Sequence, residues 1–270
     1  MNIPSIADLL TCAQAVAQAA GRHALQNRHR RHEVAQAFRH DVKLQLDLEC
    51  QRRAEEVILS AYPDHAILGE EGGAGASDGR PVWVVDPIDG TVNFSHGLPY
   101  WCTSIAVQVA GQTLAGVVYA PDLREVYAAT ADGPATCNGQ PIAVSDTAAL
   151  GGVLALTGLE KTFDTDQGTL DVTRAVALSI QKVRLMGAAA LDLCQVAAGH
   201  ADAFFESGVY LWDVAAGALI VERAGGRVEV LQQVDAQRRR YLVSNGKVHD
   251  GLRTIIERAR PRASGSTPSP

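Results

Sequence analysis

Near the start of the chain, apolar residues recur at helical spacing. Ile6, Leu9, Leu10, Ala13, Val16, Ala17, Ala20 and Ala24 share one face, and Ser5 with Asp8 ahead of them has the form of a helix start. A second helix is expected from about Leu48 to Ala61, stopped by Pro63. The pattern then shortens. Val82 to Val85 reads as a buried strand, and Ser104–Ala110, Leu114–Ala120 and Glu125–Ala129 read as strands joined by turns at Gly111 and at Pro121-Asp122. Asn138-Gly139 marks a further hairpin turn.

The second half alternates. Helices are expected at Leu170–Ile180, Ala188–Ala198, Asp213–Ala224 and Val248–Arg258, with strands at Val183–Met186, Ala203–Phe205, "GGRVEV" and "RYLVSN" between them. Paired strands followed by alternating elements predict a layered α+β and α/β sandwich. Residues 141 to 150 form the expected seam. Residues 1–140 make an N-terminal half, 141–258 a C-terminal half, and 259–270 ("RPRASGSTPSP" in the main) a disordered tail.

A chain of 270 residues, 47% hydrophobic, can bury one large core or two joined halves. Its net charge of -6 argues against a general nucleic-acid partner, which needs a basic face, but allows an anionic substrate if a cation reverses the local sign. The five cysteines are odd in number and spread apart, which suits reduced thiols in the cytosol. "MNIPSIADLL" has no secretory pattern, and no apolar run is long enough to span a membrane. Cys102, Cys137 and Cys194 read as small buried groups rather than nucleophiles, and Asp192 and Asp202 as structural polar positions.

Candidate chemistry centres on "VVDPIDGTVNF", where a buried strand runs into Asp86 and Asp89. Pro87 stiffens the turn and Gly90 lets the backbone approach a ligand. Two crowded carboxylates repel unless a proton or cation lies between them, and hard oxygens without nearby His or Cys favour magnesium over zinc. Glu70 and Glu71 follow another apolar pair, and Asp213 stands where a helix begins. Taken alone, the first two would fit a solvated turn and Asp213 an ordinary N-cap. "TVNF", Gly187 in "MGAAALDL" and Asp213 place three helix starts near the acids, a setting that suits phosphate. No P-loop pattern is present, no cysteine precedes an arginine by six, and Asp86 and Asp89 are not spaced D-x-D. Hydrolysis by a metal-activated water, without a covalent intermediate, is what remains.

"GEE" (69–71), "WVVDPIDGTVNF" (83–94) and "WDVAAGALIVERAGG" (212–226) resemble the inositol monophosphatase family of magnesium-dependent, lithium-sensitive phosphatases. "GVVYAP", "CNGQPIAVS" and "GHADAFFESGVYLWD" are similar to the family's connecting segments, and the resemblance covers roughly residues 5 to 258. It implies a sugar-phosphatase fold with two or three magnesium ions. Glu70, Asp86 and the carbonyl of Ile88 would hold the first ion, Asp86, Asp89 and Asp213 the second, and Glu70 would help place a third. Thr91 paired with Asp47 would orient and deprotonate the attacking water. The Gly90 and Thr91 amides would grip the phosphate. Gly187, Asp89, Ala189, Glu206 and Asp213 would meet the rest of the substrate.

Two departures from the family pattern stand out. Where relatives read D-L-V-T-x-x-D, this chain reads "DVKLQLD", with Lys43 and Leu44 at the Val and Thr positions, so Asp47 could be a helix cap instead. Ala188 replaces a residue that is often a hydroxyl in relatives.

Inositol 1-phosphate is the leading substrate, because Glu206 can accept from sugar hydroxyls. Fructose 1,6-bisphosphate, histidinol phosphate, NADP and 3'-phosphoadenosine 5'-phosphate are the alternatives. A non-enzymatic alternative is a regulatory partner of transcription or RNA machinery, favoured only by the basic stretch near residues 28–39; a solvated helix end explains that stretch better. By analogy with relatives, a homodimer is expected.

Overall fold

Ser5 Oγ accepts the amide of Asp8 at 3.1 Å, which starts the first helix where the sequence pattern places it. The computed structural model describes residues 4–73, 79–159, 167–235 and 238–260. The first half runs α1 (Ile6–Gln26), β1 (Val34–Ala37), β2 (Val42–Leu44), α2 (Gln45–Ala61), β3 (Ala66–Gly69), β4 (Val82–Asp89), α3 (Thr91–His96), β5 (Cys102–Val109), β6 (Gln112–Ala120), β7 (Glu125–Thr130), β8 (Thr136–Cys137) and β9 (Gln140–Pro141). The second half follows as β10 (Leu154–Thr157), α4 (Gln167–Ser179), β11 (Lys182–Leu185), α5 (Ala189–Ala197), β12 (Ala203–Tyr210), α6 (Leu211–Arg223), β13 (Arg227–Gln233), β14 (Arg238–Ser244) and α7 (His249–Ala259).

Strands β3 to β9 form one sheet in sequence order, and β11-β10-β12-β14-β13 form a second. Side-chain alternation sorts the layers. In β4, Trp83 and Val85 pack with Leu9, Val16, Cys50 and Ile58 of α1 and α2. Val84 points the other way, into a core shared with Leu191 and Leu193 of α5, Val214 and Ile220 of α6, and Phe204 of β12. On the far side of the second sheet, Ala203 and Phe205 meet Val172 and Val176 of α4 and Leu252 and Ile256 of α7. Helix and sheet layers therefore alternate five deep, the layered sandwich expected from the sequence.

Several boundaries differ from expectation. α2 begins at Gln45 rather than near Leu48, so Asp47 lies in its first turn. β4 continues through Asp89, and α6 begins at Leu211 rather than at Asp213. The hairpin β1–β2 and strands β3 and β10, four residues or fewer each, were not anticipated. Ala259 closes α7 rather than opening the tail, and residues 261–270 lie outside the described residues. Among the described residues no helix is long and apolar enough to cross a membrane.

Candidate active site

β4 carries both aspartates because of a bulge. Asp86 faces Ser104 and Asp89 faces Cys102, so the step from 86 to 89 on β4 matches the shorter step from 104 to 102 on β5. Pro87, with no amide to donate, is accommodated at this irregularity, and its carbonyl accepts from Thr103 Oγ1 at 2.8 Å. Asp86 Oδ1 accepts the Ile88 amide at 3.0 Å, closing a local turn that holds the acid in place.

Gly90 ends the strand at φ 87°, in the left-handed region. A Cβ there would stand 3.0 Å from Ala188 Cβ and 3.1 Å from the Gly187 carbonyl oxygen, so the glycine also permits close approach of the segment before α5. Asn93 fixes that approach: its Nδ2 donates to the carbonyls of Tyr100 and Met186, both at 2.8 Å.

Three candidate carboxylates accept backbone amides at helix starts. Asp89 accepts Ala189 N at 3.1 Å and Ala190 N at 2.8 Å, at the start of α5. Asp213 accepts Tyr210 N at 2.8 Å, and Asp47 accepts Leu44 N at 2.6 Å. Asp213 is thus the third residue of α6 reaching back to cap it, not its N-cap, and Asp47 does the same for α2. The expected Asp47–Thr91 pair is not formed. Thr91 Oγ1 donates instead to the Ile88 carbonyl at 2.8 Å, an acceptor three residues back near the end of β4.

The acids burden one another. Burial pushes the Asp86 carboxyl well above its ordinary range, and Glu70, Asp89, Asp213 and Asp47 add repulsion. Burial drives Asp89 up to about 7, partly opposed by the Ala190 amide. Asp47 is also raised, first by burial and then by Glu70, Glu71 and Asp41. Asp192 is raised by burial despite the Tyr100 hydroxyl donating to it at 2.6 Å.

These groups surround a cavity of about 340 Å³ lined by Glu70, Asp86, Ile88, Asp89, Gly90, Thr91, Gly187, Ala189, Glu206 and Asp213. Every candidate site residue faces it except Asp47, which is 3% exposed and lies outside the lining. His40, Asn93, Gly158, Tyr210 and Arg238 also line it; none was a candidate site residue, although Asn93 and Tyr210 fall within the family-like segments. Asp192 lines the cavity too, although its carboxylate serves Tyr100. Among the described residues no group of three or more His, Cys, Asp and Glu side chains is disposed as a finished metal cage. The donor set, carboxylates plus the Ile88 carbonyl, is nevertheless that of a hard divalent cation, and the mutual repulsion of the acids is what such a cation relieves. All five cysteines are free, and burial pushes the Cys102 and Cys194 thiols up, away from nucleophilic chemistry.

Comparison with known proteins matches residues 5–260 to the inositol monophosphatase family. Inositol-1-monophosphatase of Synechocystis is 40% identical over 215 residues, covering 76% of this chain and 74% of that protein. Nus factor SuhB of Xylella fastidiosa is 35% identical over 232 residues, covering 83% and 84%. The structure of inositol monophosphatase from Anabaena superposes with a TM-score of 0.84 at 32% identity, covering 96% of this chain and 98% of that one. With fold, motifs and acid-lined cavity in agreement, the chain belongs to the inositol monophosphatase family and is a phosphoric monoester hydrolase.

Proposed function

We propose that the chain hydrolyses a small polyol or sugar phosphate, inositol 1-phosphate foremost, in a magnesium-dependent reaction with direct attack by water. The observation that carries this reading is the placement of Glu70, Asp86, Asp89 and Asp213 around one cavity with Glu206 on its wall. Glu70, Asp86 and the Ile88 carbonyl would hold one ion, Asp86, Asp89 and Asp213 a second, and Glu70 would share in any third. Magnesium, when bound, supplies charge neutralisation at the phosphoryl oxygens and brings the pKa of a water towards neutrality.

The chain's own groups do the rest. Gly90 and Thr91 line the cavity at the start of α3, and their amides, which have no intrahelical acceptor, would receive the phosphate oxygens. Thr91 and Glu70 orient the attacking water. Asp47 accepts the proton once the Thr91 hydroxyl is released from the Ile88 carbonyl. Ala189, Gly187 and Glu206 meet the alcohol portion, and the Glu206 carboxylate accepts from its hydroxyls. On the family resemblance the enzyme is taken as a cytoplasmic, lithium-sensitive homodimer.

The relative named as a Nus factor favours a second reading, a regulatory role in transcription. Two arginines of the basic stretch that would carry it are committed to acids: Arg30 pairs with Glu33 and Glu49, and Arg28 with Asp122. Phosphate release from inositol 1-phosphate, fructose 1,6-bisphosphate, histidinol phosphate, NADP and 3'-phosphoadenosine 5'-phosphate, with and without chelator, tests the proposal. The largest kcat/KM is expected for inositol 1-phosphate and no turnover after chelation. A tenfold preference for another ester would replace the substrate, and full activity in chelator would remove the metal.

A further inference from the structure

Lys43 brings a fixed positive charge to the edge of the acidic cavity. Its Nζ lies 2.6 Å from Glu71 Oε2, and the Glu71 side chain is 3% exposed. Both residues line a recess of about 190 Å³ together with Asp41, Glu70 and Thr91. Asp41, Glu70 and Thr91 also line the main cavity, so the recess is its annexe. The β1–β2 ladder sets the lysine there, with Lys43 opposite Gln36.

A carboxylate as buried as Glu71 needs a counter-charge. Lysine supplies one as a compact ammonium with three donors on a flexible stem. With that ammonium paired to Glu71 on the wall of the recess, a mobile cation entering beside Glu70 and Glu71 meets like charge at short range, and one of the two carboxylates already has its counter-charge. We propose that Lys43 is a tethered cation on the wall of the Glu70–Glu71 recess, so that this chain binds one divalent ion fewer than its acidic residues would otherwise hold. Lys43 is a positioning residue. It touches no reacting atom, and it fixes the charge of the recess while leaving the acids of β4 to the mobile ions. The inference rests on the metal reading of the proposed function.

The test counts Mn2+ bound per full-length chain by electron paramagnetic resonance of the free ion, with unfolding midpoints recorded alongside. Lys43→Met is expected to bind one ion more than the parent, and Lys43→Arg, which keeps the charge, the same number as the parent. Should Lys43→Met fail to fold, Lys43→Gln takes its place. Equal counts for the parent and the neutral variant overturn the proposal, as does a raised count in Lys43→Arg. A parent that binds no ion, or no more than Asp86→Asn does, removes the metal site itself and the inference with it.

Discussion

Asp89 accepts the amide of Ala190 at 2.8 Å across 101 residues of sequence, joining the end of β4 to the start of α5. The same carboxylate accepts Ala189 N through its other oxygen. One residue thus faces the cavity and ties together two layers of the sandwich.

Asp89→Asn is expected to lose both functions. The asparagine oxygen can take one amide, but its NH2 group then confronts the other amide donor, which costs about 1–3 kcal/mol. Loss of a charged cavity ligand should lower kcat/KM by at least ~100-fold, comparable to or larger than removal of one stabilising group in other active sites. Paired measurement of inositol 1-phosphate hydrolysis and urea unfolding checks both effects. Turnover at the parent rate would remove Asp89 from the reacting centre, and an unchanged midpoint would mean that the amide contacts contribute little.

What the sequence disclosed followed physical scale. Local patterns, such as the apolar face of α1 behind Ser5, or Val82 to Val85 running into two acids, are set by neighbours in the chain and were legible. The bulge at Pro87 was not, because it exists only where β4 pairs with β5. Nor was the cavity role of Arg238 on β14 or Gly158 after β10, since neither position has a local pattern and both reach the site through the second sheet. The family pattern suggested an Asp47–Thr91 pair, but nothing in the spacing of residues 47 and 91 could reveal that Thr91 is already satisfied by Ile88.

Gly158 offers a test of the alcohol side of the cavity. A Cβ at this position would fall on the carboxylate of Glu206. Gly158→Ala should therefore displace Glu206 and weaken its contacts with substrate hydroxyls. Loss of one such hydrogen bond corresponds to roughly 3- to 10-fold in affinity. KM for inositol 1-phosphate should rise by about that factor. Hydrolysis of p-nitrophenyl phosphate, which has no hydroxyls to bind, should hardly change. Equal losses on both esters would show that Glu206 does not read the alcohol.

The first turn after α1 supplies a pH prediction. Arg30 Nη2 and Nη1 donate to Glu49 Oε1 and Oε2 at 2.8 and 3.1 Å, and His23 Nε2 lies 2.9 Å from Glu49 Oε2. The Arg30 contacts first, then His23, hold the Glu49 carboxyl down at about 2, against an ordinary 4.5. The folded state therefore binds this proton more weakly than the unfolded chain does. The stabilisation is present above about pH 4.5, and it drains away as pH falls through 2, below which both states are protonated. Screening at this partly exposed site limits its size to ~1 kcal/mol. Glu49→Gln should accordingly lower the unfolding free energy near pH 7 by about that amount, and the gap to the parent should shrink between pH 4.5 and 2. Added salt should narrow the gap at neutral pH as well. Urea unfolding of both proteins at pH 7 and pH 3 decides the matter: a gap that stays constant with pH would mean that Glu49 acts through packing rather than through charge.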